Sequence, residues 1–174
     1  AGERAILSLQ DSIPQHDDTI AEFTPSEAWG SATPPRNDGL KYYIIRTAWL
    51  YGHAGKNFVE TMLALAGKGE PIRVVDDQVG SPTYAVDLAE ATADLVLSKA
   101  EPGIYHRTNS GTTSWYGFAK AIFEVYGKGV TLAPCKTSEY PRLAARPAYS
   151  VLTSTKLPPL RSWQEALKDY RNNT

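Results

Sequence analysis

A single cysteine, Cys135, in 174 residues leaves no internal disulfide to form. One thiol fits a reducing compartment and reads as a small, idle or buried side chain rather than a nucleophile. No apolar run approaches the roughly 20 residues of a membrane-spanning helix, and no signal peptide opens the chain. Neither sign of charge is in excess: the formal net charge is −1, which supplies no overall pull toward nucleic acid or an anionic membrane. A soluble, cytoplasmic chain with neither of those partners is the expectation.

Several chemical signatures are also missing. The glycines never gather as Gly-x-Gly-x-x-Gly or Gly-x-x-Gly-x-x-Gly behind a strand, so the pyrophosphate cradle at a helix N-terminus is absent and no cofactor-binding residue is assigned. His16, His53 and His106 stand apart from one another and from Cys135, with no ligand spacing, and no metal is assigned. There is no Gly-x-Ser-x-Gly elbow for a nucleophilic serine.

What is present is punctuated secondary structure. Ala1 to Leu7 reads as the middle of a helix without an N-cap residue or an initiator Met, which suggests an engineered or proteolytic boundary. Residues 10–41 carry Pro14, Pro25, Pro34, Pro35, Gly30 and Gly39 with no sustained period. They read as a long loop or insertion, with one helical turn near Ser26–Trp29 and with Phe23 and Trp29 pinning it to a neighbouring surface. Tyr42 to Tyr51 is a β-branched and aromatic run ended by Gly52, hence a strand. Asn57 with Glu60 reads as a capping box opening a helix along Val59, Met62, Leu63 and Ala66. Ile72–Val75 is a short strand. Val86, Ala89, Ala93, Val96 and Leu97 mark a helix ending near Lys99, and Ile104–Thr108 is the next strand.

The clearest helix places Trp115, Phe118, Ala119, Ile122, Phe123 and Tyr126 on one face, with Ser114 as cap and Gly127 as stop. Val130–Leu132 is a short strand. Ser162 and Glu165 form a second capping box, before Trp163, Ala166, Leu167 and Tyr170 along one side of the last helix. Strands alternating with amphipathic helices argue an α/β chain without internal repeats. Tyr42 to Tyr51 is apolar nearly throughout, as strands buried on both faces of a parallel sheet are. Too few strands precede it here to flank it, so its sheet partners are expected in an N-terminal half outside this chain.

One pattern tempts. Tyr116 and Lys120 satisfy Tyr-x-x-x-Lys, the pair by which short-chain dehydrogenases protonate a carbonyl oxygen. They lie opposite the apolar stripe of their helix, where the spacing arises by chance. They are read as a decoy, and no catalytic residue is assigned in this chain.

The ordered set of segments Arg46-Thr47-Ala48-Trp49-Leu50-Tyr51-Gly52, Asn57-Phe58-Val59-Glu60-Thr61-Met62, Val74 to Thr83 and Asp87-Leu88-Ala89 resembles the dTDP-4-dehydrorhamnose reductase family. Gly103-Ile104-Tyr105-His106, Thr113 to Ala119 and Arg146-Pro147-Ala148-Tyr149-Ser150-Val151-Leu152 extend the resemblance, which covers about Tyr42 to Tyr170. Gln78-x-Gly80-x-Pro82-Thr83 and the late Arg146-Pro147 segment are its most telling parts. The resemblance implies the C-terminal part of an extended short-chain dehydrogenase: a Rossmann-type strand plus a small α/β substrate-binding domain over 42–174. Residues 1–9 would be the remnant of the helix that follows the catalytic Tyr-x-x-x-Lys, and the 10–41 stretch exceeds the usual link.

The implied reaction is reduction of the C4 ketone of dTDP-4-dehydro-L-rhamnose to dTDP-L-rhamnose by NADPH or NADH. The implied partners are the dTDP-sugar and the missing Rossmann half, with a homodimer as a candidate assembly. The fragment alone is expected to bind no cofactor and to be inactive. Trp49 resembles the family's substrate-contacting Trp, and Arg146 an arginine directed at the diphosphate, which a guanidinium fork suits. Asn57, at a helix N-terminus, and Gln78, Gly80 and Thr83, in a substrate-side loop, complete the expected site. Three alternatives stay open: a non-catalytic relative of the methionine adenosyltransferase regulatory subunit type, an epimerase or dehydratase on another nucleotide sugar, and a protein-docking module using the proline-rich stretch.

Overall fold

The computed structural model describes residues 42–140 and 144–173. The expected helix remnant over 1–9 and the insertion over 10–41, with Phe23 and Trp29, lie outside the described residues.

The run expected as one strand is two: β1 (Tyr43–Arg46) and β2 (Leu50–Tyr51). The break falls at Trp49, whose φ of 48° puts it in the left-handed region, where a bulky L-residue is disfavoured and no strand continues. The kink lets the two pieces serve different partners. β1 runs parallel to β6 (Gly103–His106), and β2 runs parallel to β5 (Thr83–Tyr84). Burial along β1 alternates, with Tyr43 and Ile45 half-buried and Arg46 exposed. Ile44 is 48% exposed and its β6 neighbour Ile104 41%. Among the described residues, then, one face of the β1–β6 pair is covered, and Ile44 and Ile104 lie exposed on the other.

The other strands are short. β3 (Ile72–Val75) lies parallel to β9 (Leu132–Cys135), which starts two residues later than the expected Val130. β4 (Val79–Gly80) pairs antiparallel with β8 (Thr113–Ser114), and β7 (Asn109–Ser110) runs parallel to β10 (Leu160–Ser162). Two-residue strands carry no readable period, which is why the sequence did not announce them.

Among the described residues, four α-helices surround these pairs. In α1 (Phe58–Ala66) the Asn57 side-chain oxygen accepts from the Glu60 N–H at 3.1 Å. The capping box expected there is only half formed, because the Glu60 carboxylate accepts from the Tyr170 hydroxyl instead. In α2 (Ala85–Leu97) the expected apolar stripe of Val86, Ala89, Ala93, Val96 and Leu97 is exposed, and the buried side carries Asp87, Ala91 and Leu95. Burial of Asp87 overrides hydrophobic periodicity here because the carboxylate has partners. Arg161 donates to it twice, at 2.9 and 2.6 Å, and Asn109 once, at 2.5 Å. Asn109 also accepts from the Tyr84 N–H, and Arg161 reaches Asp169. This network ties β5, α2, β7, β10 and the last helix together, satisfying a buried charge that would otherwise be costly.

In α3 (Trp115–Val125) the Ser114 hydroxyl accepts from the Gly117 N–H, and Phe118, Ala119, Ile122 and Phe123 are buried as expected. Gly127 at φ 62° ends it. α4 (Trp163–Asn172) has both halves of its Ser162–Glu165 capping box. Its buried Trp163, Ala166, Leu167 and Tyr170 join Val59, Met62, Phe118 and Ile122 in the core between α1, α3 and α4. Each large aliphatic side chain or Phe among them contributes about 1.5–3 kcal/mol by leaving water. The rings of Tyr51, Tyr84 and Tyr170 meet at 5.4–5.6 Å beneath β2. No helix among the described residues is long and apolar enough to cross a membrane.

Candidate functional site

Trp49 is the residue around which the expected site gathers. Its left-handed backbone is held by the Thr83 N–H, which donates to the Trp49 carbonyl at 3.1 Å. Its indole stacks on Trp115 with centroids 3.6 Å apart and planes 9° from parallel. Gly80 lies against the same ring: a Cβ there would sit 2.3 Å from Cε2 and 2.6 Å from Cζ2 and Nε1. Only glycine fits, since any side chain would occupy the space of the indole. The indole N–H has no acceptor among the described residues. Strained backbone of this kind costs about 1–3 kcal/mol and collects at functional sites.

Three expected residues are therefore in direct contact: Trp49, Gly80 and Thr83. Thr83 is fully buried and acts through its backbone; its hydroxyl donates to the Ser81 carbonyl at 3.4 Å. Arg146 approaches the group from its chain neighbours. The Val79 N–H donates to the Ala148 carbonyl at 2.8 Å, and the Ser150 N–H donates to the Val79 carbonyl at 2.8 Å. That clamp fixes the Arg146 segment beside the strand that carries Gly80. Arg146 itself is exposed and makes no hydrogen bond or ion pair among the described residues, so its guanidinium fork is uncommitted.

The remaining two, Asn57 and Gln78, have their side chains engaged in the fold. Asn57 donates to the Gly52 carbonyl at 2.7 Å while capping α1. Gln78 is buried and donates to the Thr137 hydroxyl at 3.0 Å. Beside it the Asp77 carboxylate accepts from the Thr137 N–H at 3.0 Å and from its hydroxyl at 2.6 Å. The hydroxyl bond holds Asp77 below the usual carboxylate range. Together these bonds pin the turn before β4 to the 3₁₀ turn Thr137–Glu139.

Tyr116 and Lys120 do not pair. Lys120 sits 3.9 Å from Glu124 on the exposed side of α3. A cleft of about 400 Å³ lies elsewhere, lined by Asp87, Asp94, Arg107, Arg161 and Asp169 among others, and it includes none of the six expected site residues. Arg107 there is buried and donates to the Pro158 carbonyl at 2.7 Å, and its Nε has no partner among the described residues; burial pushes its guanidinium pKa down.

Sequence reasoning placed Trp115 in the core and missed its stack on Trp49. The antiparallel pairing of β4 with β8, which carries the start of α3 toward Gly80, leaves no trace in the local pattern. The Asp87–Asn109–Arg161 network was missed for the same reason, since its members are 22 to 74 residues apart.

Comparison with known proteins adds independent observations. Residues 34–174 match the family described as RmlD substrate binding domain. The spore coat polysaccharide biosynthesis protein SpsK of Bacillus subtilis is 51% identical over 131 residues, covering 73% of this chain and 46% of that protein. The dTDP-4-dehydrorhamnose reductase of Mycolicibacterium smegmatis is 46% identical over 134 residues, 73% of this chain and 41% of that protein. The chain thus spans a little under half the length of these curated relatives. The crystal structure of Bacillus anthracis dTDP-4-dehydrorhamnose reductase in complex with NADP superposes with a TM-score of 0.74 at 41% identity, covering 78% of this chain and 50% of that one. The mixed α/β architecture, the ordered motifs around Trp49 and the match over most of its length agree: this chain belongs to the RmlD substrate binding domain family.

Proposed function

We propose that this chain holds the nucleotide-linked sugar in a dTDP-4-dehydrorhamnose reductase, a cytoplasmic enzyme that converts dTDP-4-dehydro-L-rhamnose to dTDP-L-rhamnose. The observation that carries the reading is the Trp49–Gly80–Thr83 constellation. An aromatic wall, whose N–H has no acceptor among the described residues, is locked in place by a glycine, a backbone hydrogen bond and a stacked ring. Such preorganisation is what a deoxysugar site requires, because each group fixed beforehand is ordering entropy that binding need not supply. Arg146 is assigned to the diphosphate, where its fork can bond two oxygens. Asn57 and Gln78 support the site through the fold, since their hydrogen bonds are already made within it.

The chemistry a nicotinamide cofactor supplies, NADPH or NADH, is hydride delivery to C4 of the sugar. This chain's own residues bind and orient the substrate for that step. They offer a dinucleotide no glycine-rich strand-to-helix turn, so the cofactor and the proton donor are assigned to an N-terminal half. Two apolar surfaces suit that half as docking faces: the exposed side of β1 and β6 at Ile44 and Ile104, and the α2 stripe at Val86, Val96 and Leu97.

The direct test is ketone-dependent NADPH oxidation. The full-length protein is expected to oxidise NADPH when given dTDP-4-dehydro-L-rhamnose, and this chain alone is not. No turnover by a folded, NADPH-binding full-length protein would favour the non-catalytic relative instead.

A further inference from the structure

Trp115 is the first residue of α3, and the N-terminus of that helix is doubly fixed. The Ser114 hydroxyl caps the Gly117 N–H at 3.0 Å and donates to the Asp76 carboxylate at 2.5 Å. From this anchored position Trp115 touches two rings. Phe58 lies on it at 4.6 Å and 51°, and Phe58 continues into the core by stacking on Phe118 at 5.6 Å and 17°. Toward the site it stacks on Trp49 at 3.6 Å and 9°. Trp115 thus joins the buried core to the residue around which the candidate site gathers.

We propose that Trp115 is a positioning residue for the sugar-nucleotide site, acting by fixing the ring plane of Trp49. The inference rests on the functional reading above and extends it to a residue that makes no assigned contact with substrate. The physical reason is that Gly80 meets Trp49 at Cε2, Nε1 and Cζ2, on one side of the indole, whereas fixing the tilt of the whole ring takes a neighbour stacked across it. A near-parallel stack supplies that; a branched aliphatic side chain would fill the volume without specifying a plane. An indole free to tilt presents its N–H and its apolar face in many orientations, and binding must then order it.

The test uses the full-length protein with dTDP-L-rhamnose as probe, measured by calorimetric titration at a temperature where every variant is folded. Trp115→Leu is expected to weaken binding about tenfold and Trp115→Phe less than about threefold. The near-parallel indole pair should give an exciton couplet in the far-ultraviolet circular dichroism, lost in both Trp115→Leu and Trp49→Leu. Because Trp115 acts through Trp49, the double variant should bind no more weakly than Trp49→Leu alone. Leu167→Ala, a cavity in the core between α1, α3 and α4, should lower Tm and leave affinity unchanged. The proposal is overturned if Trp115→Leu binds like wild type, if the two substitutions add, or if Leu167→Ala weakens binding as much. Absence of binding by the wild type would defeat the functional reading itself, and this inference with it.

Discussion

Trp49 closes over Gly80 so tightly that a single added methyl would lie 2.3 Å from its Cε2 atom. Gly80→Ala therefore forces either the indole off Trp115 or strand β4 off its register with β8. Overpacking of this kind costs about 1–3 kcal/mol. We expect a lower urea midpoint together with loss of the Trp–Trp couplet in circular dichroism. A Gly80→Ala variant with both unchanged would show that the ring is not confined by this backbone.

Removing the charge of Asp87 tests the hidden network. Asp87→Asn leaves the Arg161 guanidinium without its bidentate partner, although Arg161 is partly exposed and keeps Asp169. The loss should fall near the lower end of the range for breaking a buried pair, about 3 kcal/mol. Equilibrium urea unfolding measures it. A change below about 0.5 kcal/mol, the scale of ordinary surface substitutions, would mean the network is not what holds α2 to β10.

Acid sensitivity should centre partly on the turn before β4. Asp77 is held below its ordinary value of 3.8 chiefly by the Thr137 hydroxyl. A carboxylate depressed in the folded state stabilises the fold above its unfolded pKa, and that contribution fades as pH falls through the lower, folded value. A two-dimensional NMR titration should place the Asp77 midpoint below 3.8 in the wild type and move it toward 3.8 in Thr137→Val. No movement would contradict the assigned cause.

The α2 stripe gives a prediction that separates the chain from the whole protein. Val86→Gln with Val96→Gln should change the stability of this chain by no more than about 0.5 kcal/mol per site, because both positions already face water. In the full-length protein the same pair should lower Tm clearly, on the proposal that the cofactor-binding half covers the stripe. Equal, negligible effects in both would show that nothing packs on this face.

Much of the fold was legible because capping and periodicity are local. Ser114 with Gly127 and Ser162 with Glu165 marked α3 and α4 to within a residue or two. Where tertiary contacts overrule a local preference, the reading failed. Tyr42 to Tyr51 looked like one strand because a left-handed Trp leaves no mark in composition. The α2 pattern located the helix but not its buried side, since the partners of Asp87 lie far along the chain. Of the candidate site, the motif residues Trp49, Gly80 and Thr83 were recognised and do touch. Asn57 and Gln78 were also marked, yet their side chains are engaged in capping and loop anchoring, roles that residue type alone cannot separate from ligand contact.

The measurement that bears most directly on the whole account is a calorimetric titration of dTDP-L-rhamnose into the full-length protein, repeated with Trp49→Leu and Arg146→Ala. Saturable one-to-one binding by the wild type, weakened about tenfold or more by each substitution without loss of folding, is the predicted result. Wild-type affinity in both variants, or no binding at all, would contradict it.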